Sequence, residues 1–329
     1  MKILFVNDYK EYGSTEKLIH YLRKNLWEME KIWTELYTMP FDSRQFKKIL
    51  DTWKPDIVHF HLCLLPGILP YVIVKDRKIP MVITLHNYWM VCRATHHFLF
   101  REKRVCPHYD WSYCSNCPNY GRGNIPPPEK IFDFFSDVLL VGCSEHISEV
   151  YRKFGYENVV TVHNGIPPLE GKIEDRGFVF SLVSTKPWKG PQYIRRLKEE
   201  AEYDVKYNMS SSPYDPGYLS DRQVEELYRT CSVVVMPSIW EEPGSVMPLE
   251  AARCRKPTVA FDVGGLPEYP VSVTVPVGSY EALKEAVDSL MSDRKKRRIL
   301  GREAYKKYIS SFTDVHMTEK YIKIYEGLI

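Results

Sequence analysis

The sequence predicts an α/β protein with two domains, each built on a parallel sheet. Short apolar runs of strand length recur along the 329 residues. Most are apolar throughout, as in parallel strands that helices cover on both faces. Segments with a helical spacing of apolar residues lie between these runs, so strands and helices alternate. At about 150 residues per domain, the length predicts two domains.

Eight apolar runs are predicted strands. They are Ile3–Val6, Ile57–Phe60, Met81–Leu85, Val138–Val141, Val159–Val162, Phe178–Val183, Val233–Met236 and Thr258–Phe261. Apolar residues at helical spacing predict a helix around Leu18–Met29 and another around Leu283–Met291. Ser220 and Gln223 have the spacing of a capping box, which predicts the start of a third helix.

Proline, glycine and charge mark the division between the domains. Asn164-Gly165-Ile166-Pro167-Pro168 follows a predicted strand, and the charged segment 170–176 leads to the next apolar run. We therefore predict domains at residues 1–167 and 168–311, followed by a last helix at 312–329. An irregular region of about 89–130, which contains four cysteines, is predicted to be an insertion in the first domain.

Charge and missing motifs exclude several classes of function. Lys and Arg number 45 against 42 Asp and Glu, and the net charge of +3 is too small for a dedicated nucleic-acid binder. The basic run Asp293–Arg298 is interpreted as the solvated face of a helix. Neither G-x-G-x-x-G nor a Walker sequence is present, which argues against dinucleotide redox chemistry and phosphoryl transfer. With no export signal recognised, we expect a cytoplasmic, reducing location.

Two carboxylates stand eight residues apart after the predicted strand Val233–Met236. Glu242 is expected in a loop, and Glu250 in the first turn of a helix that begins at Leu249. Open parallel sheets bind ligands at the carboxyl ends of their strands, so this pair predicts a ligand site. Two solvated surface glutamates are the alternative.

This region resembles the donor site of the family 4 retaining glycosyltransferases. The similar residues are Trp240-Glu241-Glu242-Pro243, the pair Glu242 and Glu250, Leu249-Glu250-Ala251 and Lys256-Pro257-Thr258-Val259. Further similar segments occur in the family's order at 55–61, 84–87, 162–165, 188–190 and 264–268. The resemblance spans nearly the whole chain. It implies the GT-B fold, in which two Rossmann-like domains with parallel sheets face a central cleft and the last helix packs back on the N-terminal domain.

The resemblance also implies the reaction and the roles of several residues. A sugar would move from a nucleoside diphosphate sugar, such as a UDP- or GDP-sugar, to an unidentified acceptor hydroxyl. Glu250 matches the glutamate that binds the nucleotide ribose, and Glu242 matches the one that contacts the donor sugar. His86 matches the histidine beside the reacting sugar, so His86 and Glu242 are the expected catalytic residues. Lys189 matches the lysine that neutralises the departing diphosphate, which is expected to be the largest electrostatic contribution.

Several residues are expected around the donor diphosphate. They are Gly13, Lys186, Lys189, Gly244, Ser245 and Val246. Backbone amides at helix N-termini can neutralise phosphate without a metal, so no catalytic metal is expected. The chain departs from the family in having Ser184 where an arginine is usual and the single Gly13 where two glycines are usual. Lys186 is the candidate replacement for that arginine, although a lysine lacks the bidentate geometry of a guanidinium.

Four cysteines of the predicted insertion form a candidate structural zinc site. They are Cys92, Cys106, Cys114 and Cys117. The final Cys-x-x-Cys is typical of a zinc knuckle, and a more distant cysteine can complete a tetrahedral set. A subset of the family named above has cysteines at similar spacing. Two disulfides, or four unlinked thiols, are the alternatives, and His96, His97 and His108 are possible substitute ligands.

Two further hypotheses remain open. A non-catalytic nucleotide- or carbohydrate-binding protein of GT-B fold is the alternative function, because the usual arginine and second glycine are missing. Aromatic residues alternate with basic ones between Trp27 and Trp53, which is typical of a surface that contacts the inner face of a membrane. The alternative is that these aromatic side chains cover the sheet.

Overall fold

The chain forms two compact units in the computed structural model, which describes residues 1–9, 13–62, 64, 67–111, 113–114, 117, 128–209 and 219–329. The N-terminal unit consists of Met1–His97, Cys106–Asn164 and Asp314–Ile329. The C-terminal unit consists of Phe98–Val105 and Gly165–Thr313. The boundary at Asn164 lies close to the predicted boundary at 167.

A six-stranded parallel sheet forms the centre of the N-terminal unit. Its strands are β1 (Lys2–Asn7), β2 (Trp33–Thr38), β3 (Ile57–Phe60), β4 (Met81–Leu85), β7 (Leu139–Gly142) and β8 (Val159–Thr161), in the order β2-β1-β3-β4-β7-β8. Its helices are α1 (Ser14–Glu30), α2 (Ser43–Trp53), α3 (Leu69–Asp76), α4 (Pro128–Phe135), α5 (Glu145–Lys153) and α11 (Asp314–Glu326). β3 and β4 are buried at every position, which explains their uninterrupted apolar sequences.

The last helix, α11, is part of the N-terminal unit and packs against α1. Two of its tyrosines reach the sheet. The hydroxyl of Tyr321 lies 2.7 Å from Thr84 Oγ1, and the hydroxyl of Tyr325 lies 2.7 Å from His59 Nδ1. Helix α11 therefore completes the core of the N-terminal unit.

A five-stranded parallel sheet forms the centre of the C-terminal unit. Its strands are β9 (Phe178–Leu182), β10 (Asp204–Asn208), β11 (Val233–Met236), β12 (Thr258–Phe261) and β13 (Val273–Val275), in the order β10-β9-β11-β12-β13. Its helices are α6 (Pro191–Glu200), α7 (Asp221–Thr230), α8 (Met247–Arg253), α9 (Tyr280–Ser292) and α10 (Arg294–Ser311). A short antiparallel pair, β5 (Phe98–Leu99) and β6 (Arg104–Val105), also groups with this unit.

The eight predicted strands are present, and helices α1, α7 and α9 occupy the segments predicted around Leu18–Met29, after Ser220 and around Leu283–Met291. The capping box is also present, because Gln223 Oε1 accepts from the Ser220 amide at 2.9 Å and Ser220 Oγ accepts from the Gln223 amide at 3.4 Å. The predicted start of α8 at Leu249 is wrong by two residues. The helix begins at Met247 because Pro248, which needs no amide partner in a first helical turn, fits inside it.

Three edge strands were not predicted from the sequence: β2, β10 and β13. Each lies at the edge of a sheet, where a partly exposed face carries polar residues that interrupt the apolar run.

The insertion predicted at about 89–130 stays a prediction, and residues 112, 115, 116 and 118–127 lie outside the described part of the chain. Its hairpin β5–β6 groups with the C-terminal unit, where the Phe100 ring lies 4.7 Å from that of Trp188.

Candidate functional site

A cavity of about 260 Å³, here called the carboxyl-edge cavity, opens where β9 and β11 end in the C-terminal unit. Its lining consists of Leu182, Val183, Ser184, Lys189, Met236, Pro237, Ser238, Glu242, Ser245 and Met247. The carboxyl ends of parallel strands are where open α/β sheets bind their ligands. The carboxyl-edge cavity is therefore the candidate ligand site of the C-terminal unit.

An ion pair with a buried carboxylate lies in this cavity. Lys189 Nζ donates to Glu242 Oε1 at 2.6 Å, and Ser238 Oγ donates to the same oxygen at 2.6 Å. Glu242 is only 4% exposed, whereas the Lys189 side chain is 32% exposed. Two donors stabilise the buried carboxylate, which would otherwise be costly to remove from water.

The two oxygens of Glu242 differ in their surroundings. Both bonds just described end on Oε1, and no described residue donates to Oε2. A carboxylate oxygen has two acceptor positions. Glu242 therefore keeps unused hydrogen-bonding capacity in a site where its orientation is already fixed.

Close backbone contacts position Lys189 and Glu242. Lys189 ends a 3-10 turn whose Trp188 carbonyl accepts from the Ile239 amide at 2.9 Å. The next residue, Gly190, has φ 80°, and a Cβ there would lie 1.9 Å from the Pro237 carbonyl oxygen. The turn can lie this close to the loop after β11 only because residue 190 has no side chain.

A second glycine supports Glu242 from the loop after β12. Gly264 has φ 57°, and a Cβ there would lie 2.3 Å from the Glu242 carbonyl oxygen. The neighbouring Gly265 amide donates to that same oxygen at 2.7 Å. The segments 188–190 and 264–268, which the sequence singles out, thus hold the ion pair from two sides.

The structure brings together only some of the predicted donor contacts. Ser245 lines the carboxyl-edge cavity with Lys189 and Glu242, and Gly244 and Val246 are its chain neighbours just before α8. Lys186 is exposed, its Nζ lies 5.9 Å from the centre of the Trp188 ring, and it is not among the lining residues described.

Glu250 lies in the first turn of α8, as predicted, but the described lining of the cavity does not include it. Its carboxylate lies near Tyr228 of α7. Burial raises the pKa of Tyr228 well above its usual value, and the Glu250 charge raises that pKa further. Glu250 therefore lies beside Tyr228, outside the described lining of the cavity that contains Glu242.

His86 lies in the N-terminal unit, one residue after the end of β4. Its Nε2 is 2.9 Å from Nδ1 of His61, which follows the neighbouring strand β3. Burial lowers the pKa of His86 to about 4, so the ring is neutral at pH 7. A neutral imidazole can donate one hydrogen bond and accept another.

A third histidine extends this cluster into the core. The His59 and His61 rings are 4.3 Å apart because residues two apart in a strand point to the same face. Burial lowers the pKa of His59 to about 3 and that of His61 well below its usual value, and neighbouring histidines lower both further. His59 and His61 are buried and His86 is half-buried, and the three neutral rings lie together at the carboxyl end of the sheet.

Gly13 lies directly before α1 at the carboxyl side of β1 in the N-terminal unit. Asn7 at the end of β1 donates to Glu16 Oε1 at 2.9 Å, and a Cβ at position 13 would lie 2.4 Å from Glu16 Oε2. Gly13 is thus part of a strand-to-helix turn, as its place in the sequence predicts.

The four candidate zinc ligands are half-buried and form no disulfide within the described residues. The Cys117 amide donates to the Cys114 carbonyl at 3.3 Å, which forms the turn of the Cys-x-x-Cys pair. Burial raises the pKa of Cys92, and the nearby Cys117 contributes to the rise. No group of three or more His, Cys, Asp or Glu with the arrangement of a metal site occurs in the described part of the chain.

Two residues of the candidate sites were not predicted from the sequence. Ser238 donates its hydroxyl to Glu242. His61 contacts His86, and each follows the end of one of two paired strands. In both cases the available signal was a polar residue within two positions of the end of an apolar parallel strand.

Two family models match the chain. The model of Glycosyltransferase Family 4 matches residues 18–169, and the model of Glycosyl transferases group 1 matches residues 195–307. The first match lies mainly in the N-terminal unit, and the second lies within the C-terminal unit.

Individual relatives agree with these matches. Alpha-maltose-1-phosphate synthase of Mycolicibacterium smegmatis is 33% identical over 120 residues, which are 32% of this chain and 30% of that protein. An uncharacterised glycosyltransferase of Methanocaldococcus jannaschii is 24% identical over 290 residues, or 86% of this chain and 78% of that protein.

A solved structure shows the fold. Anabaena HepE in complex with UDP and glucose has a TM-score of 0.69 to this chain at 16% identity, covering 99% of this chain and 100% of HepE. The chain therefore has the GT-B fold, and the family matches support a glycosyltransferase of the family 4 type.

Proposed function

We propose that the protein is a retaining glycosyltransferase that moves a sugar from a nucleoside diphosphate sugar to an acceptor hydroxyl. The observation that carries this proposal is the cluster of Lys189, Glu242 and Ser238 in the carboxyl-edge cavity. A cation and a carboxylate held side by side suit the two parts of such a donor, a charged diphosphate and a hydroxyl-rich sugar. The UDP and glucose bound to HepE support UDP-glucose as the first donor to test.

Lys189 would bind the diphosphate and stabilise it as the leaving group. Its ammonium has three donor positions, of which one is used by Glu242. The side chain is about one-third exposed, so it can turn toward a bound phosphate. Further diphosphate contacts are proposed for Gly13, Lys186, Gly244, Ser245 and Val246, and a ribose contact for Glu250.

Glu242 and His86 would act on the sugar. Glu242 Oε2 has free acceptor positions for a sugar hydroxyl, and the neutral His86 ring can donate to a hydroxyl or to developing charge. Retention requires that the acceptor hydroxyl arrive on the face from which the diphosphate departs. Since a lysine and backbone amides would neutralise that diphosphate, we propose that transfer needs no divalent ion.

Nucleotide release from a panel of UDP-, GDP- and ADP-sugars tests the proposal. With one matching donor and an acceptor, we expect release in the presence of a chelator, and NMR of the product should show the donor's anomeric configuration. The alternative function, a non-catalytic binding protein, predicts that a nucleotide raises the melting temperature while no donor is turned over.

We also propose that Cys92, Cys106, Cys114 and Cys117 bind a structural zinc ion. The support is the Cys-x-x-Cys turn and the closeness of Cys92 to Cys117. Metal analysis of protein purified without chelator should find one zinc per chain, and Cys114→Ser with Cys117→Ser should remove it. Absence of zinc together with a full count of free thiols would contradict the proposal.

Peripheral contact with a membrane is a further proposal for the N-terminal unit. Trp27 is 44% exposed and Trp33 is 60% exposed, and Lys31 Nζ lies 5.4 Å from the Trp27 ring centre. In contrast, Tyr37 and Phe46 of the same aromatic series are buried and cover the sheet. No helix in the described residues is long and apolar enough to span a bilayer. Sedimentation with anionic liposomes, compared for wild type and Trp27→Ser with Trp33→Ser, tests the contact.

A further inference from the structure

A second cavity, of about 530 Å³, lies at the opposite edge of the C-terminal sheet and is here called the amino-edge cavity. Its lining consists of Ile173, Glu174, Asp175, Arg176, Ser232, Arg255, Lys256, Pro257, Arg294, Arg297, Arg298 and Arg302. The segment 173–176 leads into β9, Ser232 precedes β11, and Pro257 precedes β12. The cavity is therefore at the amino ends of the strands, whereas the carboxyl-edge cavity is at their other ends.

The amino-edge cavity is strongly basic. Seven basic and two acidic side chains line it, which is a formal charge of +5, whereas the whole chain carries only +3. Like charges that converge on one cavity repel each other, and water screens part of this repulsion because Arg255, Arg298 and Arg302 are exposed. A bound anion would offset the repulsion that remains.

The two acidic residues already have partners. Asp175 Oδ2 accepts from Arg297 Nη2 at 2.9 Å, and Asp175 Oδ1 accepts from the Ser232 hydroxyl. Glu174 pairs with Arg176 at 2.7 Å. These two carboxylates offset two of the seven positive charges, so the lining keeps an excess of five.

One basic residue of the lining is a buried lysine. Lys256 is 4% exposed, and its ammonium donates to the backbone carbonyl of Glu174 and forms no ion pair with a described carboxylate. Burial lowers the pKa of Lys256, and the nearby Asp175 charge counters part of that effect. A buried ammonium that lacks a close counter-ion adds to the positive potential of the cavity.

Three arginines are not offset by any described carboxylate. The ion pairs of the cavity involve Arg176, Arg294 and Arg297. Arg255, Arg298 and Arg302 form none with the residues that the structure describes. Arg298 and Arg302 are four residues apart on α10, so they share one face of the helix.

A close helix contact brings Arg255 to that face. Gly301 lies between Arg298 and Arg302, and a Cβ at Gly301 would lie 2.1 Å from the Arg255 carbonyl oxygen. Arg255 itself has φ 53°, a left-handed conformation that glycine adopts more readily. A long cationic side chain thus occupies a position where glycine would be the less strained choice.

We propose that the amino-edge cavity binds a phosphate-bearing anion through Arg255, Arg298 and Arg302. Guanidinium groups bind phosphate oxygens in pairs of parallel hydrogen bonds, and three of them suit a group with two negative charges. The phosphate could belong to a free phosphorylated molecule or to a lipid headgroup, which share this chemistry. The site is separate from the donor site, and the inference does not depend on the proposed transfer reaction.

Isothermal titration with inorganic pyrophosphate tests the free ligand, and sedimentation with phosphatidylcholine vesicles, with and without phosphatidic acid, tests the headgroup. Arg298→Gln with Arg302→Gln should weaken one of these interactions at least about tenfold. The matched control is Lys295→Gln with Lys306→Gln, which removes the same charge from exposed positions of α10 outside the cavity lining. Circular dichroism checks that each variant is folded.

Two more variants separate the possible origins of binding. Arg255→Gly removes a guanidinium whose central carbon lies 4.8 Å from the Tyr305 ring centre, and it relieves the left-handed strain. Because these two effects on stability oppose each other, it should weaken binding with little change in the melting temperature. Lys186→Gln with Lys189→Gln alters the donor side and should leave binding at the amino-edge cavity unchanged.

Each outcome decides the proposal. A loss of pyrophosphate affinity in the arginine variants supports a free ligand, and a loss confined to phosphatidic acid vesicles supports a headgroup. Equal weakening in the arginine variant and in its lysine control would indicate unspecific charge attraction and overturn the site. The proposal would also be overturned if affinity fell only in the Lys186 and Lys189 variant, if the arginine substitutions changed neither pyrophosphate binding nor vesicle binding, or if neither probe bound.

Discussion

The two units place polar clusters at the same edge of similar sheets, yet the clusters differ in charge. In the C-terminal unit, Lys189 and the buried Glu242 form an ion pair after β9 and β11. In the N-terminal unit, His61 and His86 form a hydrogen-bonded pair after β3 and β4, and burial keeps both rings neutral. The architecture fixes where a site lies, and the neighbours of each side chain fix whether it is charged.

This difference has a physical cause. Glu242 has a cation and a hydroxyl within hydrogen-bonding distance, so a charge can be retained with little exposure. For the histidines, desolvation is the largest influence on the pKa, and the charge of neighbouring histidines lowers the pKa further. The C-terminal cluster is therefore suited to bind charge, and the N-terminal cluster is suited to exchange hydrogen bonds.

The largest expected effect comes from breaking the ion pair. Lys189→Ala should lower kcat for nucleotide release about 100-fold or more, because a positioned charge would be lost from the departing diphosphate. Glu242→Gln should lower kcat about tenfold to 100-fold, since it weakens charged hydrogen bonds but keeps the shape of the side chain. Steady-state kinetics with the matching donor measures both effects.

Lys186→Ala is the control for the loss of a nearby positive charge. Lys186 is exposed and is not among the described lining of the carboxyl-edge cavity, so its effect should be smaller than that of Lys189→Ala. If both substitutions left donor hydrolysis and transfer unchanged, the assignment of the phosphate-binding lysines would be wrong.

A second effect tests the backbone contact that positions Lys189. Gly190→Ala should lower the free energy of unfolding by about 2–3 kcal/mol, because it adds a backbone overlap to the left-handed conformation. Gly278→Ala is a matched control with the same φ of 80°, where a Cβ would lie 3.5 Å from the Tyr193 hydroxyl. It should cost only about 1 kcal/mol. Equal losses in urea titrations of the two variants would contradict the role of the overlap.

The sequence predicted the fold better than it predicted the contacts within the sites. Central strands such as β3 and β11 are buried on both faces, so their sequences are apolar throughout and easily recognised. The edge strand β2 alternates in exposure and has no such run. Its formation depends on pairing with β1, which local sequence does not encode.

The candidate sites show the same limit. Glu242 and Lys189 were selected by a family resemblance, but the sequence could not show that Ser238 shares an oxygen with Lys189. The contact between His61 and His86 depends on the pairing of β3 with β4, which lie more than twenty residues apart in the chain. Contacts between strand ends follow from sheet order, and sheet order is a property of the whole chain.

The neutral histidines predict a dependence of stability on pH. Below the usual histidine value of about 6.5, the unfolded chain takes up protons that the folded His59, His61 and His86 refuse. The free energy of unfolding should therefore fall as the pH falls from about 6.5 toward 4, by about 1.4 kcal/mol per pH unit for each ring. Urea titrations across this range, followed by circular dichroism, measure the slope.

A single substitution tests the origin of that slope. His59→Gln removes one titrating ring while keeping polar atoms near Thr84 and Tyr325. It should reduce the slope by about 1.4 kcal/mol per pH unit. An unchanged slope would mean that other groups cause the pH dependence, and the contrast between a neutral and a charged cluster would then lose its support.

The smallest expected effect concerns the aromatic contact of the ion pair. Lys189 Nζ lies 4.5 Å from the centre of the Trp240 ring, and Trp240 is 7% exposed. A cation over a ring is worth about 0.5–1 kcal/mol in such a setting, so Trp240→Leu should weaken donor binding about two- to fivefold. Trp240→Phe keeps a ring face and should cost less than Trp240→Leu. Isothermal titration calorimetry with UDP compares the two variants. Equal losses of UDP affinity would show that Trp240 acts by filling space and does not stabilise the cation.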